Sequence, residues 1–301
     1  MKKILITGAS GFIGRHLYQR LKKMGYDITG VSFEGGKIDQ DEITALDITD
    51  QEAVEIFFNR RVFDTVFHLA AYLPSKSEEE YYNVRKGFLI NGLGTYNLLM
   101  ASRKQGVSKF IYSSSASVFN RLSHKISVKE KEIACCENVY GITKLAGENL
   151  CEFFRKKYGL KTVCLRYASV YGPGEKNQGV IQFFLKRALA GETLEVFLGG
   201  ERTQDFIYVK DAAEANFRAA LSQAEGVYNI GSGEETAVID LARLIIKVCR
   251  SKSKIVKAPF LKEDKSRFFL DIARAKKDLN FFPGYSLAQG LKEYKNYLCK
   301  K

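Results

Sequence analysis

Tyr140 stands four residues before Lys144 in the stretch "NVYGITKLAGENL", Asn138 to Leu150. Residues four apart on a helix are neighbours, with Cβ atoms about 5–6 Å apart. A phenol and an ammonium held that close are either a solvated surface pair or an acid and the cation that tunes it. A second stretch able to do chemistry is "TGASGFIG", which spaces Gly8, Gly11 and Gly14 as G-x-x-G-x-x-G. Glycine is needed where φ turns positive, where a pyrophosphate approaches the backbone, and where helix and strand pack closely. A helix starting at Phe12 and Ile13, after Ser10 in the turn, offers unpaired N–H groups and a positive dipole end to phosphates.

Both stretches need elements to hold them. "KILIT" (Lys3–Thr7) reads as a buried strand, and "FIGRHLYQRLKKMG" as a helix with apolar positions at Phe12, Ile13, Leu17 and Leu21. "DITGVSF", "TVFHLA", "KFIYSSS" and "TVCLRYA" read as further strands, with a helix ending near Ser102 before the third and the Tyr140 helix before the fourth. Strands apolar on both faces, alternating with helices, predict an α/β fold: a Rossmann-like, doubly wound parallel sheet covered by helices. After Tyr171 the pattern loosens into "GPGEKNQG", followed by a helix through Ala190, short strands "FIYV" and "VYNI", and helices over Asp211–Leu221, Ala237–Cys249 and Ser286–Leu298. This predicts a dinucleotide-binding domain over 1–168 plus about 203–231, intertwined with a smaller substrate-binding portion over 169–202 and 232–301.

With 301 residues, 46% hydrophobic and 27% charged, the chain has ample core for a soluble globular protein. Its net charge of +13 favours anionic partners. The basic residues are scattered, however, and the densest runs, Arg155–Lys161 and Arg250–Lys257, do not interleave aromatics as single-strand binding requires. No nucleic-acid partner is expected. The six cysteines include no C-x-x-C pair and no zinc or secreted-disulfide spacing, so they read as reduced thiols. The apolar run at the N-terminus is too short for a signal peptide, and no run of 18 apolar residues suggests a membrane span. The expectation is a cytoplasmic protein with no membrane partner. An acidic residue about 20 residues past the glycine turn would bind a ribose 2′-OH. That place falls on Ser32 or Phe33, with Glu34 displaced and no arginine to meet a 2′-phosphate. NAD is the expected cofactor, with NADP left open.

Taken in order, these features and several others make the chain resemble the extended short-chain dehydrogenase/reductases, and more narrowly their nucleotide-sugar epimerase/dehydratase group. The stretches carrying the resemblance include "ALDITD", "VFHLAA", "NGLGTYNLL", "FIYSSSASVF", "LRYASVYGPG", "QDFIYVKDAAEA" and "YNIGSG". It implies that Asp47 and Ile48 meet the adenine and that Leu69, Ala70 and Ala71 line the cofactor path. Asn91 and Tyr167 join Tyr140 and Lys144 as expected cofactor contacts. Ser115 becomes the expected catalytic hydroxyl, four residues before Phe119, where the family usually has tyrosine; Ser113 and Ser114 are expected only to cap or pack.

The implied chemistry gives the opening pair a purpose. A base takes the proton of a sugar hydroxyl while hydride leaves its carbon for the nicotinamide. Tyr140 is the candidate base, and bringing its pKa from about 10 to about 7 requires roughly 4 kcal/mol at ~1.4 kcal/mol per unit. Lys144 would stabilise the phenolate, with the positive nicotinamide of the oxidised cofactor adding to it, and hold the nicotinamide ribose, while Ser115 steadies the reacting oxygen. In the group's 4,6-dehydratases an Asp-Glu pair follows the catalytic hydroxyl; here Ala116 and Ser117 do, and neither is an acid or base at neutral pH. Dehydration is therefore not expected. The reading is a nucleotide-sugar epimerase acting by transient oxidation of a hydroxyl to a ketone. A 4-keto-sugar reductase with net NAD(P)H oxidation is the alternative, and a non-catalytic cofactor-binding scaffold the outside one.

On the substrate side the sequence departs from the family pattern. Ser169 replaces the usual asparagine and Gln204 the usual arginine. Arg202 and Arg267 are the remaining candidates for a nucleoside diphosphate sugar, and the family's R-P-G-D-like segment survives only as "LKED" (Leu261–Asp264). His68 reads as a packed strand-end residue, His16 and His124 as surface, and no metal site is expected. By resemblance the helices Glu79–Ser102 and Asn138–Lys157 pair with their copies in a homodimer, through an apolar face that includes Ile142, Leu145, Ala146, Phe153 and Phe154.

Overall fold

The structure is a computed structural model that describes residues 3–73, 80–119, 127–132, 134–175, 179–197, 200–258 and 266–300. The first half alternates strands and helices: β1 (Lys3–Thr7), α1 (Phe12–Lys23), β2 (Asp27–Ser32), β3 (Gly36–Ile38), β4 (Asp41–Ala45), α2 (Gln51–Asn59), β5 (Thr65–His68), α3 (Glu80–Gly87), α4 (Thr95–Gln105), β6 (Lys109–Ser115), α5 (Val139–Tyr158) and β7 (Thr162–Tyr167). The second half holds β8 (Ser169–Tyr171), α6 (Val180–Leu189), β9 (Leu194–Val196), β10 (Thr203–Gln204), β11 (Phe206–Tyr208) and α7 (Val209–Leu221). β12 (Gly226–Ile230), β13 (Thr236–Ala237), α8 (Val238–Cys249), β14 (Ile255–Lys257), α9 (Ala273–Leu279) and α10 (Leu287–Leu298) follow.

Eight strands form one sheet in the order β12-β7-β6-β5-β1-β2-β4-β3. All its pairings are parallel except that of β3 with β4. Parallel strands are buried on both faces, and alternate residues feed two cores. Ile4 and Ile6 of β1, with Ile111, Val163 and Leu165, face α1 and α7. Leu5, with Phe110, Tyr112 and Cys164, faces α2, α4 and α5. A third core gathers Tyr171, Phe184, Leu185, Tyr208, Leu241, Ile245 and Tyr294 from the second half. The chain leaves β1 toward β2 on one side and later returns to β5 on the other. The switch point, where open sheets of this type bind ligands, therefore lies between β1 and β5.

Two features depart from the expected elements. β3 and β4 form a hairpin that extends the sheet beyond β2. The expected helix over Glu79–Ser102 is interrupted by a π-helical segment, Phe88–Gly94, between α3 and α4; Glu79 itself lies outside the described residues. Single π-turns inside helices cluster at functional sites, and this one carries Asn91.

Candidate functional site

The glycine turn stands at the switch point, and each glycine answers a different demand. Gly8 has φ +67°, and a Cβ there would lie 2.6 Å from the Ala70 nitrogen. A Cβ on Gly14 would lie 2.1 Å from the Gly8 carbonyl oxygen, which already accepts from the Gly11 N–H at 2.9 Å. Helix α1 starts at this turn with no side-chain cap and no acidic residue in its first turn. Its leading N–H groups are thus left for an outside acceptor, the arrangement that suits a pyrophosphate. The side chains of Phe12 and Ile13 pack into the third core, so these residues present backbone to the turn.

Around the turn the expected cofactor wall is held by a directed hydrogen-bond chain. Thr95 Oγ1 donates to the Asn91 carbonyl at 2.7 Å, so it accepts from His68 Nε2 at 2.8 Å. His68 Nδ1 is then an acceptor, and Thr7 Oγ1 donates to it at 2.8 Å while accepting from the Ala70 N–H at 3.3 Å. Burial, with the nearby Lys144 charge, pulls His68 down to about 3 and keeps it neutral. His68 is the packed strand-end residue expected of it. Asn91 is buried and its amide is engaged: Oδ1 accepts from Tyr72 N at 2.7 Å, and Nδ2 donates to Tyr72 O and Thr143 Oγ1, each at 2.9 Å. That side chain fixes the segment after β5 against the π-segment and α5. Asp47 closes a tight turn by accepting from Thr49 N and Oγ1 at 2.9 and 2.8 Å, and Asn97 holds the Ile48 carbonyl at 3.0 Å. Ser32 ends β2 with its hydroxyl on Gly35 O at 3.0 Å. Leu69 and Ala70 sit half-buried, and Ala71 exposed, directly beyond β5. Tyr167 ends β7 beside Ser115 of β6. Only 5% exposed, it sits in the core with Asn216 Nδ2 donating to its hydroxyl at 2.6 Å.

Ser115, Tyr140 and Lys144 meet at the carboxyl end of β6. Asn138 caps α5 by accepting from Gly141 N at 2.8 Å, and Gly141 packs against the Ser117 carbonyl of the 3-10 turn Ala116–Val118. That contact sets the helix start against Ser115, whose hydroxyl donates to Ser117 Oγ and accepts from Ser117 N, each at 3.1 Å, and favours the charged form of the Tyr140 phenol. Lys144 is 2% exposed; Nζ donates to the Ser113 carbonyl at 2.7 Å and lies 4.9 Å from the Tyr112 ring centre and 5.8 Å from that of Tyr140. The three side chains expected to act together are together.

In the protein alone, burial sets the ionisation of the pair. Burial pushes Tyr140 up to about 12, only partly opposed by the Ser115 hydroxyl. Burial likewise pulls Lys144 down to about 7. The expectation of a phenol near neutrality rests on the ammonium together with the positive nicotinamide of the oxidised cofactor. The low dielectric of the site penalises both charged forms, and the Lys144 head is directed at the Ser113 carbonyl rather than at the phenol.

On the substrate side, Ser169 Oγ donates to Gln204 Oε1 at 3.2 Å, so these two replacements touch each other. Arg267 is turned onto Glu235, with Nε donating to Oε1 at 2.7 Å and Nη2 to Oε2. Glu235 also accepts from Thr203 Oγ1 at 2.7 Å. Glu201, Thr203, Glu235, Ala237, Asp240 and Arg267 line a cavity of about 350 Å³, and Arg202, half-buried, flanks this lining in sequence. The LKED segment and His124 lie outside the described residues. His16 is not a plain surface residue: half-buried beside Phe12, it bonds through Nε2 to the Pro173 carbonyl at 2.8 Å. Among the described residues no cluster of three or more His, Cys, Asp or Glu side chains could hold a metal, and no helix is long and apolar enough to cross a membrane.

A glycine turn at the switch point of a doubly wound sheet, with serine, tyrosine and lysine grouped beside it, defines an extended short-chain dehydrogenase/reductase. The model of the NAD dependent epimerase/dehydratase family matches residues 4–231, and the chain belongs to that family of enzymes. It is 33% identical to the UDP-N-acetyl-alpha-D-glucosaminuronate decarboxylase of Bacillus cytotoxicus, across 97% of this chain and 96% of the relative. It also superposes on the UDP-glucose 4-epimerase of Thermotoga maritima solved with UDP-glucose, with a TM-score of 0.88, 34% identity and 99% of each chain covered. The UDP-glucose 4-epimerase of Thermus thermophilus, solved with NAD, gives a TM-score of 0.86 at 26% identity, again over 99% of each chain.

Proposed function

We propose that the protein is an NAD-dependent epimerase of a nucleoside diphosphate sugar, acting by transient oxidation of a sugar hydroxyl to a ketone. The observation that carries this reading is the grouping of Ser115, Tyr140 and Lys144, followed at 116 and 117 by residues that cannot act as acid or base. The glycine turn and the uncapped start of α1 fit the pyrophosphate of NAD, and Asp47 and Ile48 stand ready for its adenine. NAD supplies, when bound, the acceptor and donor for the hydrogen that leaves and returns to the sugar carbon, and a positive charge beside the phenol.

That second charge is needed. Lowering Tyr140 from about 12 to near 7 takes about 7 kcal/mol. Lys144, its Nζ 5.8 Å from the ring centre and itself pulled down to about 7 by burial, does not supply that alone. Tyr140 therefore rests as a phenol and becomes a base only when further positive charge enters the site. Ser115 then donates to the reacting oxygen, and Tyr140 returns the proton when the ketone is reduced.

Substrate contacts are assigned to Ser169, Gln204, Arg202 and Arg267, with the division into a cofactor portion (1–168 and about 203–231) and a substrate portion as read from the sequence. A second reading, oxidative decarboxylation of a nucleotide-linked uronic acid, is favoured by the 33% identical relative and uses the same oxidation. We also assign a homodimer interface to the faces of α4 and α5 and the π-segment, where Phe88, Leu89, Leu93, Tyr96, Ile142 and Phe153 are 38–50% exposed. The test is a panel of UDP-, dTDP- and GDP-linked sugars and uronic acids, read by product separation, CO₂ release and absorbance of reduced nicotinamide. Epimer without net absorbance change supports the proposal. A pentose product with CO₂ supports the second reading, and stoichiometric NAD(P)H consumption on a keto-sugar supports the reductase.

A further inference from the structure

Beneath the Ser115–Tyr140–Lys144 face lies a buried ion pair that the chemistry above does not use. Glu148 follows Lys144 by one turn of α5, and Arg166 comes from β7; their side chains are 4% and 6% exposed. Arg166 grips the carboxylate twice, Nε to Oε1 at 2.9 Å and Nη2 to Oε2 at 2.7 Å. Ser114 Oγ donates to the same Oε1 at 2.5 Å. The third arm of Arg166 donates from Nη1 to the Glu130 carbonyl at 3.1 Å, and the guanidinium lies 4.7 Å from the Phe119 ring centre.

One carboxylate thus ties together the elements that carry the reacting groups. Helix α5 bears Tyr140 and Lys144. Strand β6 bears Ser115, and also Ser113, whose carbonyl receives the Lys144 head. Ser114 lies between those two serines, so clamping its side chain from the α5 face fixes both neighbours through the backbone. Stability alone does not account for the device, because a buried ion pair seldom outperforms apolar residues of the same volume.

The order of the charges adds a second role. Titratable groups facing Lys144 are Tyr112 from β6, His68 from β5, Cys164 from β7, and Tyr140, Glu148 and Cys151 from its own helix. His68 is neutral, burial holds the two phenols in their protonated forms, and the hydrogen bond with Cys151, with burial, does the same for the Cys164 thiol. Glu148 is the carboxylate of the group, and Arg166 acts on Lys144 only from behind it. We infer that the Glu148–Arg166 pair is a positioning device for the triad, an oriented dipole that presents its negative end to Lys144 and locks Ser113–Ser115 against α5.

The test uses the full-length chain carrying lysine labelled with ¹³C at Cε, with Lys144→Met to assign the Lys144 signal. Two variants are compared with the parent: Glu148→Gln, which keeps shape and removes the charge, and the double change Glu148→Leu with Arg166→Met, which replaces the pair by apolar volume. The midpoint of the Lys144 titration is expected to fall by about one pH unit in either variant. On the substrate identified by the epimerase reading, on which only this arm rests, the high-pH limb of the rate moves down with it. Turnover at pH 7 falls about fivefold or more. If the folded variants keep both the Lys144 midpoint and the pH profile of the parent, the pair is merely structural and the inference is overturned. If one variant fails to fold, the other decides. A parent that turns over no nucleotide sugar refutes the proposed function, while the titration still decides the role of the pair.

Discussion

Replacing Gly141 by alanine adds one methyl group at the start of the helix that carries Tyr140 and Lys144. The new Cβ would stand 2.1 Å from the Ser117 carbonyl oxygen and 3.3 Å from Cys136 Cβ. Contacts between such atoms become comfortable only beyond roughly 3 Å, so the first turn of α5 and the 3-10 turn must part by roughly 1 Å. The atom that blocks the methyl group belongs to the turn immediately after Ser115, so the displacement acts along the line joining Ser115 to Tyr140. A misplacement of that size costs on the order of 100-fold in rate. Stability moves differently. Alanine is a better helix former than glycine by about 0.8–1 kcal/mol, which offsets part of the 1–3 kcal/mol that overpacking costs. The expected variant is folded, melts within several degrees of the parent, retains its cofactor, and turns over about 100 times more slowly. Rate by product separation, melting by calorimetry and cofactor content after denaturation check the three parts. Turnover within twofold of the parent would refute the claim that the Gly141–Ser117 contact sets the reacting geometry.

Other perturbations address the remaining parts of the site. Gly8→Ala places a Cβ 2.6 Å from Ala70 N in a left-handed conformation, and should weaken cofactor binding at least tenfold (~1.4 kcal/mol), measured by fluorescence titration; parent-like affinity would contradict the cradle. Glu175, between Tyr294 and the Gly179 N–H, is pushed up to about 7 by burial. The folded chain keeps a proton there that the unfolded chain releases above about 4.5, so stability is fully present below that pH and is lost as pH rises to about 7, by up to about 3 kcal/mol. Glu175→Gln should flatten that slope in urea melts from pH 4.5 to 8, and parallel slopes would count against it. Phe153→Glu, on the 50% exposed ring, should convert the proposed dimer to monomer in sedimentation equilibrium, with an unchanged mass as the contrary result.

The parallel sheet and the glycine turn after its first strand were legible because strands buried on both faces write continuous apolar runs, and because a glycine turn must sit where backbone approaches backbone; the switch point needed the strand order. The Tyr140–Lys144 spacing was legible for the same kind of reason, helical geometry. The β3–β4 hairpin was not. Its strands are three and five residues long, and only Ile38 and Ile43 among them are buried, too few to write a period. The π-segment was hidden because one wide turn shifts the helical pattern by a single residue. Glu148 and Arg166 look like ordinary surface charges in sequence, and only the partners that α5, β6 and β7 bring together show them buried. His16 was misread for a similar reason, since its partner, the Pro173 carbonyl, lies 157 residues away. The ionisation of Tyr140 depends on depth of burial, which spacing does not encode.

The central claim is that hydrogen leaves a sugar carbon and returns to that same carbon while Tyr140 handles the proton. A nucleotide sugar bearing deuterium at the carbon that inverts, turned over in ordinary water, should give an epimer that keeps the deuterium at that carbon, and Tyr140→Phe should bind the cofactor yet form no product. Deuterium lost to water during inversion, or turnover by Tyr140→Phe at the parent rate, would contradict it.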